Sequence, residues 1–139
     1  MNGVAVDLAV LGDTGPLWHD WLADARRRFR VDVDALDEQL PNWRRLLERF
    51  AEERAPVYFR RDADVGDALR RLHAGGVRVG IFTDAPEELA RVVLSHLGVE
   101  RRIELLEAGA GARERIVQRL GPDTPVVSTR EQLIGLGVA

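Results

Sequence analysis

Apolar and polar positions along the chain change period repeatedly, and each change marks an element. Val4 to Leu11 (VAVDLAVL) is a β-branched apolar run that ends at Gly12-Asp13-Thr14-Gly15-Pro16. The pattern predicts a buried strand followed by a loop. From Leu17 to Phe29, Leu17, Trp18, Trp21, Leu22, Ala25 and Phe29 recur at helical spacing, with Asp20, Asp24 and Arg27 opposite. This is an amphipathic helix. Asp34 to Glu53 reads as a second helical region, striped by Trp43, Leu46, Leu47 and Phe50, with Pro41 fitting a helix start. At that periodicity the tryptophans are packing residues.

Pro56 to Phe59 reads as a short extended piece. Asp64 to Ala74 is a helix stopped by Gly75-Gly76, and Val77 to Thr83 (VRVGIFT) is the clearest strand. Asp84-Ala85-Pro86 opens a helix, with Pro86 in its first turn, that runs to about Leu97 and stops at Gly98. Glu87 and Glu88 suit the positive end of its dipole. Arg102 to Glu107 is a strand, and Gly109 to Leu120 a loop and then a helix. Pro125 to Thr129 is a strand, and Arg130 to Leu136 a final helix.

Strands and helices therefore alternate, with two consecutive helices behind the first strand. Alternation implies right-handed crossovers and a parallel sheet covered on both faces, so the fold class is α/β and Rossmann-like. The 139 residues make one domain. In such sheets ligands bind outside the carboxyl ends of the strands. The loops there are Gly12 to Pro16, Thr83 to Pro86, Ala108 to Arg113 and Ser128 to Glu131.

Composition removes several chemistries. The chain has no cysteine, which excludes disulfides, thiolate nucleophiles and Cys-ligated metals. All 20 basic side chains are arginine, so no Schiff base and no lysine phosphate clamp can form. The net charge of −3 gives no basic field for nucleic acid or an acidic membrane surface. No stretch approaches the roughly 18 apolar residues of a membrane span. The opening MNGVAVDLAVLGD lacks a basic leader, so the expected location is cytoplasmic. His19, His73 and His96 lie in helical segments without metal-ligand spacing.

The stretch DALRRLHAGGVRVGIFTDAPEELARVVLSHLGVE (67–100) runs helix, Gly-Gly turn, strand ending in Thr, then a helix ending in Leu-Gly. It resembles the second-motif region of the haloacid dehalogenase superfamily, whose members are mostly phosphatases. Gly15, Leu17 and Trp18 are similar to the tail of that family's first motif. The resemblance spans nearly the whole chain. It implies a core at about 1–16 and 60–139, with a small helical cap at about 17–59.

Chemistry in that family uses a D-x-D-x-T motif that supplies a nucleophile and a general acid/base. A Thr or Ser and a Lys bind the phosphoryl group, and acidic residues hold Mg²⁺. The resemblance aligns Gly12 with the nucleophile, Thr14 with the acid/base and Pro16 with the Thr. None of these can perform the role. Thr83 stands at the second motif with Asp84 beside it. Arg113 is the nearest substitute for the lysine and can pair with phosphate bidentately. Thr129 stands at the metal-binding acid, followed by Arg130 and Glu131.

The expectation is a haloacid dehalogenase-like protein that has lost phosphatase chemistry and acts as a binding or interaction module. Its ligand-binding candidates are Thr83, Asp84, Arg113 and Thr129, with no metal and no cofactor. Its partner is an unidentified protein or a phosphorylated small molecule. Self-association is a further partner mode, although no heptad seam supports it. The alternative is a Mg²⁺-dependent phosphohydrolase with a shifted first motif that uses Asp13 as nucleophile beside Thr83 and Arg113. Between the two lies a phosphate sensor without turnover.

Overall fold

The computed structural model describes residues 1–138. Its centre is strand β1 (Gly3–Asp7), in which Val4, Ala5 and Val6 are fully buried. Burial on both faces explains an apolar run without alternation. Strands β2 (Arg78–Thr83), β3 (Leu105–Ala108) and β4 (Val126–Val127) complete a parallel sheet in the order β3-β2-β1-β4. Gly3 pairs with Arg78 and Asp7 with Phe82, while Val6 pairs with Val127 on the other side. The α/β class read from the sequence is therefore the observed one.

The first strand is shorter than the run Val4–Leu11. It stops at Asp7, and Leu8–Leu11 form a single helical turn, α1. The Asp7 carboxylate accepts from the Ala9 amide at 3.0 Å and caps that turn. Leu8 and Leu11 are buried in the helical turn just as they would be in a strand, so the apolar run continues across the boundary. Gly12 ends the turn where space is tight, because a Cβ there would lie 2.9 Å from Phe59 Cδ1.

Helix α2 (Gly15–Phe29) carries Pro16 in its first turn and buries Leu17, Trp21 and Ala25. The region 34–53 is broken rather than one helix. A 3-10 turn (Val33–Ala35) leads into α3 (Leu36–Gln39), and α4 (Trp43–Tyr58) follows. Pro41 disfavours helical geometry at Leu40, which adopts φ −141° and ψ 72°. Pro56, read as extended, lies within α4; only Phe59 is extended, and its amide still bonds to the Ala55 carbonyl at 2.9 Å. The Tyr58 hydroxyl donates to Asp20, tying α4 to α2.

Helix α5 (Ala63–Ala74) follows, then β2 and α6 (Glu87–Leu97), which closes on Gly98 at φ 72°. Pro86 is the residue just before α6 rather than within its first turn. A 3-10 turn takes Glu100–Arg102, so β3 starts at Leu105 instead of Arg102. Helix α7 (Ala112–Leu120) and α8 (Arg130–Val138) flank β4, which is two residues long where five were read. No helix among the described residues is long and apolar enough to cross a membrane.

One apolar cluster joins the sheet face of Val4, Val6 and Ile81 to Leu89 and Val93 of α6 and to Trp21, Trp43 and Phe50. The helices between β1 and α5 thus share the main core. The three tryptophans form a group, with ring centroids 5.6 Å (Trp18–Trp21) and 5.9 Å (Trp21–Trp43) apart. The opposite sheet face is thinner: Ala5 and Phe82 pack under Ala112 and Ile116 of α7. Gly80 allows that contact, since a Cβ there would meet Ile116 Cγ1 at 2.8 Å and Leu120 Cδ1 at 3.0 Å.

Arg130 at the start of α8 fixes that helix to α5. Its Nε donates to Asp62 Oδ2 at 2.7 Å and its Nη2 to Asp64 Oδ2 at 3.0 Å. Asp62 is also the N-cap of α5, accepting from the Asp64 and Val65 amides. The Arg130 hydrogen bond, aided by those amides and opposed by burial, holds the Asp62 carboxyl below the usual carboxylate range. A carboxyl depressed on folding stabilises the fold above its unfolded pKa, and that contribution is lost as pH falls through the folded value.

Two predictions follow from this packing. Gly80→Ala lowers stability by about 1–3 kcal/mol through overpacking against α7. The measurement is the urea midpoint, and an unchanged midpoint would show that α7 lifts without cost. Asp62→Asn keeps the cap but loses the ion pair, so it is less stable than wild type at pH 7. Stepped-pH unfolding should show the gap closing below about pH 4; a gap independent of pH would refute the role of the charge.

Candidate functional site

Parallel pairing brings the carboxyl ends of β1, β2 and β3 to one edge, with Asp7 beside Phe82 and Thr83 beside Ala108. A cavity of about 240 Å³ opens there. Its polar lining comes from Asp7, Thr83, Asp84, Arg113 and Glu114. Thr83 is buried, and its Oγ1 accepts from the Ala85 amide at 3.2 Å. Its hydroxyl proton remains able to donate. Asp84 is exposed at the rim.

Arg113 is exposed in the first turn of α7 and, among the described residues, enters no ion pair. Gly111 (φ 77°) is the N-cap of that helix and gives no side-chain cap. The Ala112 amide is taken by the Gly109 carbonyl at 3.2 Å, which leaves the Arg113 and Glu114 amides at the positive end of the dipole without a protein partner among the described residues. The preceding loop is held from below. Arg115 donates from Nε to Glu107 Oε1 at 2.8 Å, from Nη1 to the Ala110 carbonyl at 2.5 Å and from Nη2 to the Ala108 carbonyl at 2.7 Å. Arg119 donates to the other Glu107 oxygen at 2.7 Å. The hydrogen bonds from Arg115 and then Arg119 hold the Glu107 carboxyl below its usual range.

Thr83, Asp84 and Arg113 are thus brought together, whereas Thr129 and Asp13 are absent from that cavity's lining. Thr129 and Gln132 form a reciprocal cap on α8. Thr129 Oγ1 accepts from the Gln132 amide at 3.2 Å, and Gln132 Oε1 accepts from the Ser128 and Thr129 amides. Asp13 is exposed at the start of α2, where Oδ1 accepts from the Gly15 amide at 2.9 Å. Beside Asp84, the lining carboxylates are Asp7 and Glu114, and Asp7, at the end of β1, is the one of consequence that sequence reasoning missed. Its signal was a single acid interrupting an apolar run.

A larger cleft of about 590 Å³ adjoins, between the start of α2, the α3 segment and the Asp84–Pro86 turn. Trp18, Asp34, Asp37, Glu38 and Asp84 line it, and no arginine does among the described residues. Asp84 borders both spaces. Asp37 accepts from Trp43 Nε1 at 2.8 Å. The positive side chain of the site thus lies at the smaller cavity, and the larger cleft repels anions. No group of three or more His, Asp or Glu among the described residues is placed to hold a metal ion.

No protein-family model and no curated protein matches the sequence. Among solved structures the chain is similar to a crystal structure from Thermotoga maritima described as a "putative beta-phosphoglucomutase". The TM-score is 0.57 at 20% identity, covering 98% of this chain and 82% of that one. At that identity the likeness is one of fold. Sheet order, the helices inserted behind β1 and this match over nearly the full length together show that the chain has a haloacid dehalogenase-like fold.

Proposed function

We propose that the chain is a cytoplasmic binding module that takes a phosphorylated small molecule at the carboxyl edge of its sheet without hydrolysing it. The observation that carries the reading is one cavity lined by the Thr83 hydroxyl, Arg113 and the uncapped start of α7. These groups supply donors to phosphoryl oxygens and a guanidinium suited to bidentate pairing.

Loss of turnover is supported by the residues at the remaining positions of the family pattern. Read from the observed end of β1, the first motif is Asp7-Leu8-Ala9-Val10-Leu11. Ala9 has no proton to give where a second carboxylate is needed. The metal-ligand position holds Thr129, engaged in capping α8, and the adjacent Arg130 points its charge to Asp62 and Asp64. A Mg²⁺ site built on carboxylates does not fit that donor set.

Asp7, Asp84 and Glu114 weaken the hold on a bare dianion by repulsion. A phosphomonoester with a positive group suits the two spaces better, since that group meets Asp84 and the carboxylates and indole of the larger cleft.

A second reading rests on Asp7 itself. It stands at the end of β1 in the cavity with Thr83, so it, rather than Asp13, is the carboxylate placed to attack a phosphoryl group there.

Thermal unfolding with inorganic phosphate or phosphoethanolamine, with and without Mg²⁺, tests both. Binding without turnover predicts a rise in Tm without metal, larger for phosphoethanolamine and abolished in Arg113→Ala. Phosphate release across a panel of phosphomonoesters that requires Mg²⁺ and vanishes in Asp7→Asn would instead establish the hydrolase. Neither response would overturn both and turn the search to a protein partner.

A further inference from the structure

We propose that Arg115 is the positioning residue of the anion site: its guanidinium helps hold the β3–α7 loop in the shape that presents the Arg113 side chain and the Arg113 and Glu114 amides to the cavity. The inference rests on the binding reading above and adds a residue that does not line the cavity.

In the loop from Ala108 to Arg113, no side chain other than Arg115 bonds to the backbone among the described residues. Gly109 and Gly111 adopt φ 89° and 77°, and Ala110 between them is exposed. Glycines at such angles leave a loop many unfolded alternatives. The backbone hydrogen bonds from the Gly109 amide to the Thr83 and Ala85 carbonyls secure its first residue. Beyond it, the Ala112 amide donates to the Gly109 carbonyl at 3.2 Å, and the side chain that holds the turn is Arg115. Its three donors reach Ala108, Ala110 and Glu107, and so join the strand end, the loop apex and the strand body.

The fit is close. A Cβ on Gly111 would lie 3.1 Å from Arg115 Nη1, so the loop wraps against the guanidinium at the point where its backbone turns left-handed. A lysine could reach one of these acceptors but not all three in a plane. Glu107 answers only one of the two arginine charges it receives, but all three Arg115 nitrogens are engaged with Glu107 or a loop carbonyl, and Arg115 does not line the cavity. Its role is therefore geometric, while the pull on an anion falls to Arg113. Fixing a loop in its bound shape raises affinity by sparing the ordering cost at binding.

Arg119 provides the internal control. It also pairs with Glu107, on the same helix, but among the described residues bonds to no loop carbonyl. The experiment compares wild type, Arg115→Ala, Arg115→Lys and Arg119→Ala in two measurements: phosphoethanolamine titration, and amide hydrogen exchange across 108–113 without ligand.

Arg115→Ala is expected to weaken binding roughly tenfold or more and to speed loop exchange, with Arg115→Lys in between. Arg119→Ala should leave both within about threefold of wild type, as a change at a rim charge does. Equal losses in the two alanine variants, or wild-type affinity in Arg115→Ala, would overturn the assignment. If wild type binds no phosphoester, the binding reading fails. Unchanged loop exchange in Arg115→Ala separately disproves the clamp.

Discussion

The register of β1 between β2 and β4 is the constraint on which the rest of the molecule depends. Parallel strands cannot be joined by tight turns, so each connection crosses a face of the sheet and covers it. Val4, Ala5 and Val6 are buried on both sides as a result. The same register sets Asp7 level with Phe82, and Thr83 level with Ala108, so four loops open at one edge. A slip of one residue would turn Asp7 from the cavity to the other face. The site is thus a property of strand pairing before it is a property of any side chain.

The elements most legible in the sequence are those whose ends carry local chemistry. Gly98 closes α6 in the left-handed region, and the Gly75-Gly76 pair ends α5, so both limits could be read directly. The boundary at Asp7 was obscured because a fully buried strand and a buried helical turn ask for the same apolar residues. Pro56 misled for a different reason. A proline removes one helical hydrogen bond, yet α4 continues because Ala55 and Phe59 stay buried against the core. Tertiary burial there overrides a local signal.

At the site, Thr83, Asp84 and Arg113 were legible because Thr83 ends a strand, Asp84 follows it and Arg113 follows a glycine loop, all at positions the pattern fixed. Asp13 drew attention as the carboxylate between the aligned first-motif positions, and its turn-rich surroundings are what engage it with Gly15. Thr129 carried a readable T-x-x-Q pattern, which the structure uses to cap α8. Arg115 was not singled out, because nothing in a helical GARERIV segment distinguishes the arginine that reaches back under its own loop from the one that faces solvent. Among arginines, partner geometry decides: Arg115 is held by Glu107 and the loop carbonyls and Arg130 by Asp62 and Asp64, whereas Arg113, without an ion pair among the described residues, lines the cavity.

The grouping of Trp18, Trp21 and Trp43 has an optical consequence. These are the only tryptophans of the chain, and all three lie within one helical patch whose outer edge, Trp18, borders the larger cleft. Rings about 6 Å apart exchange excitation readily, so the three emit as one reporter. Fluorescence of this protein is therefore a local label of the inserted helices and their cleft, nearly blind to the sheet. An emission change on adding a compound would mark where it landed, and disagreement between emission and far-UV signals on unfolding would show the inserted helices parting from the sheet.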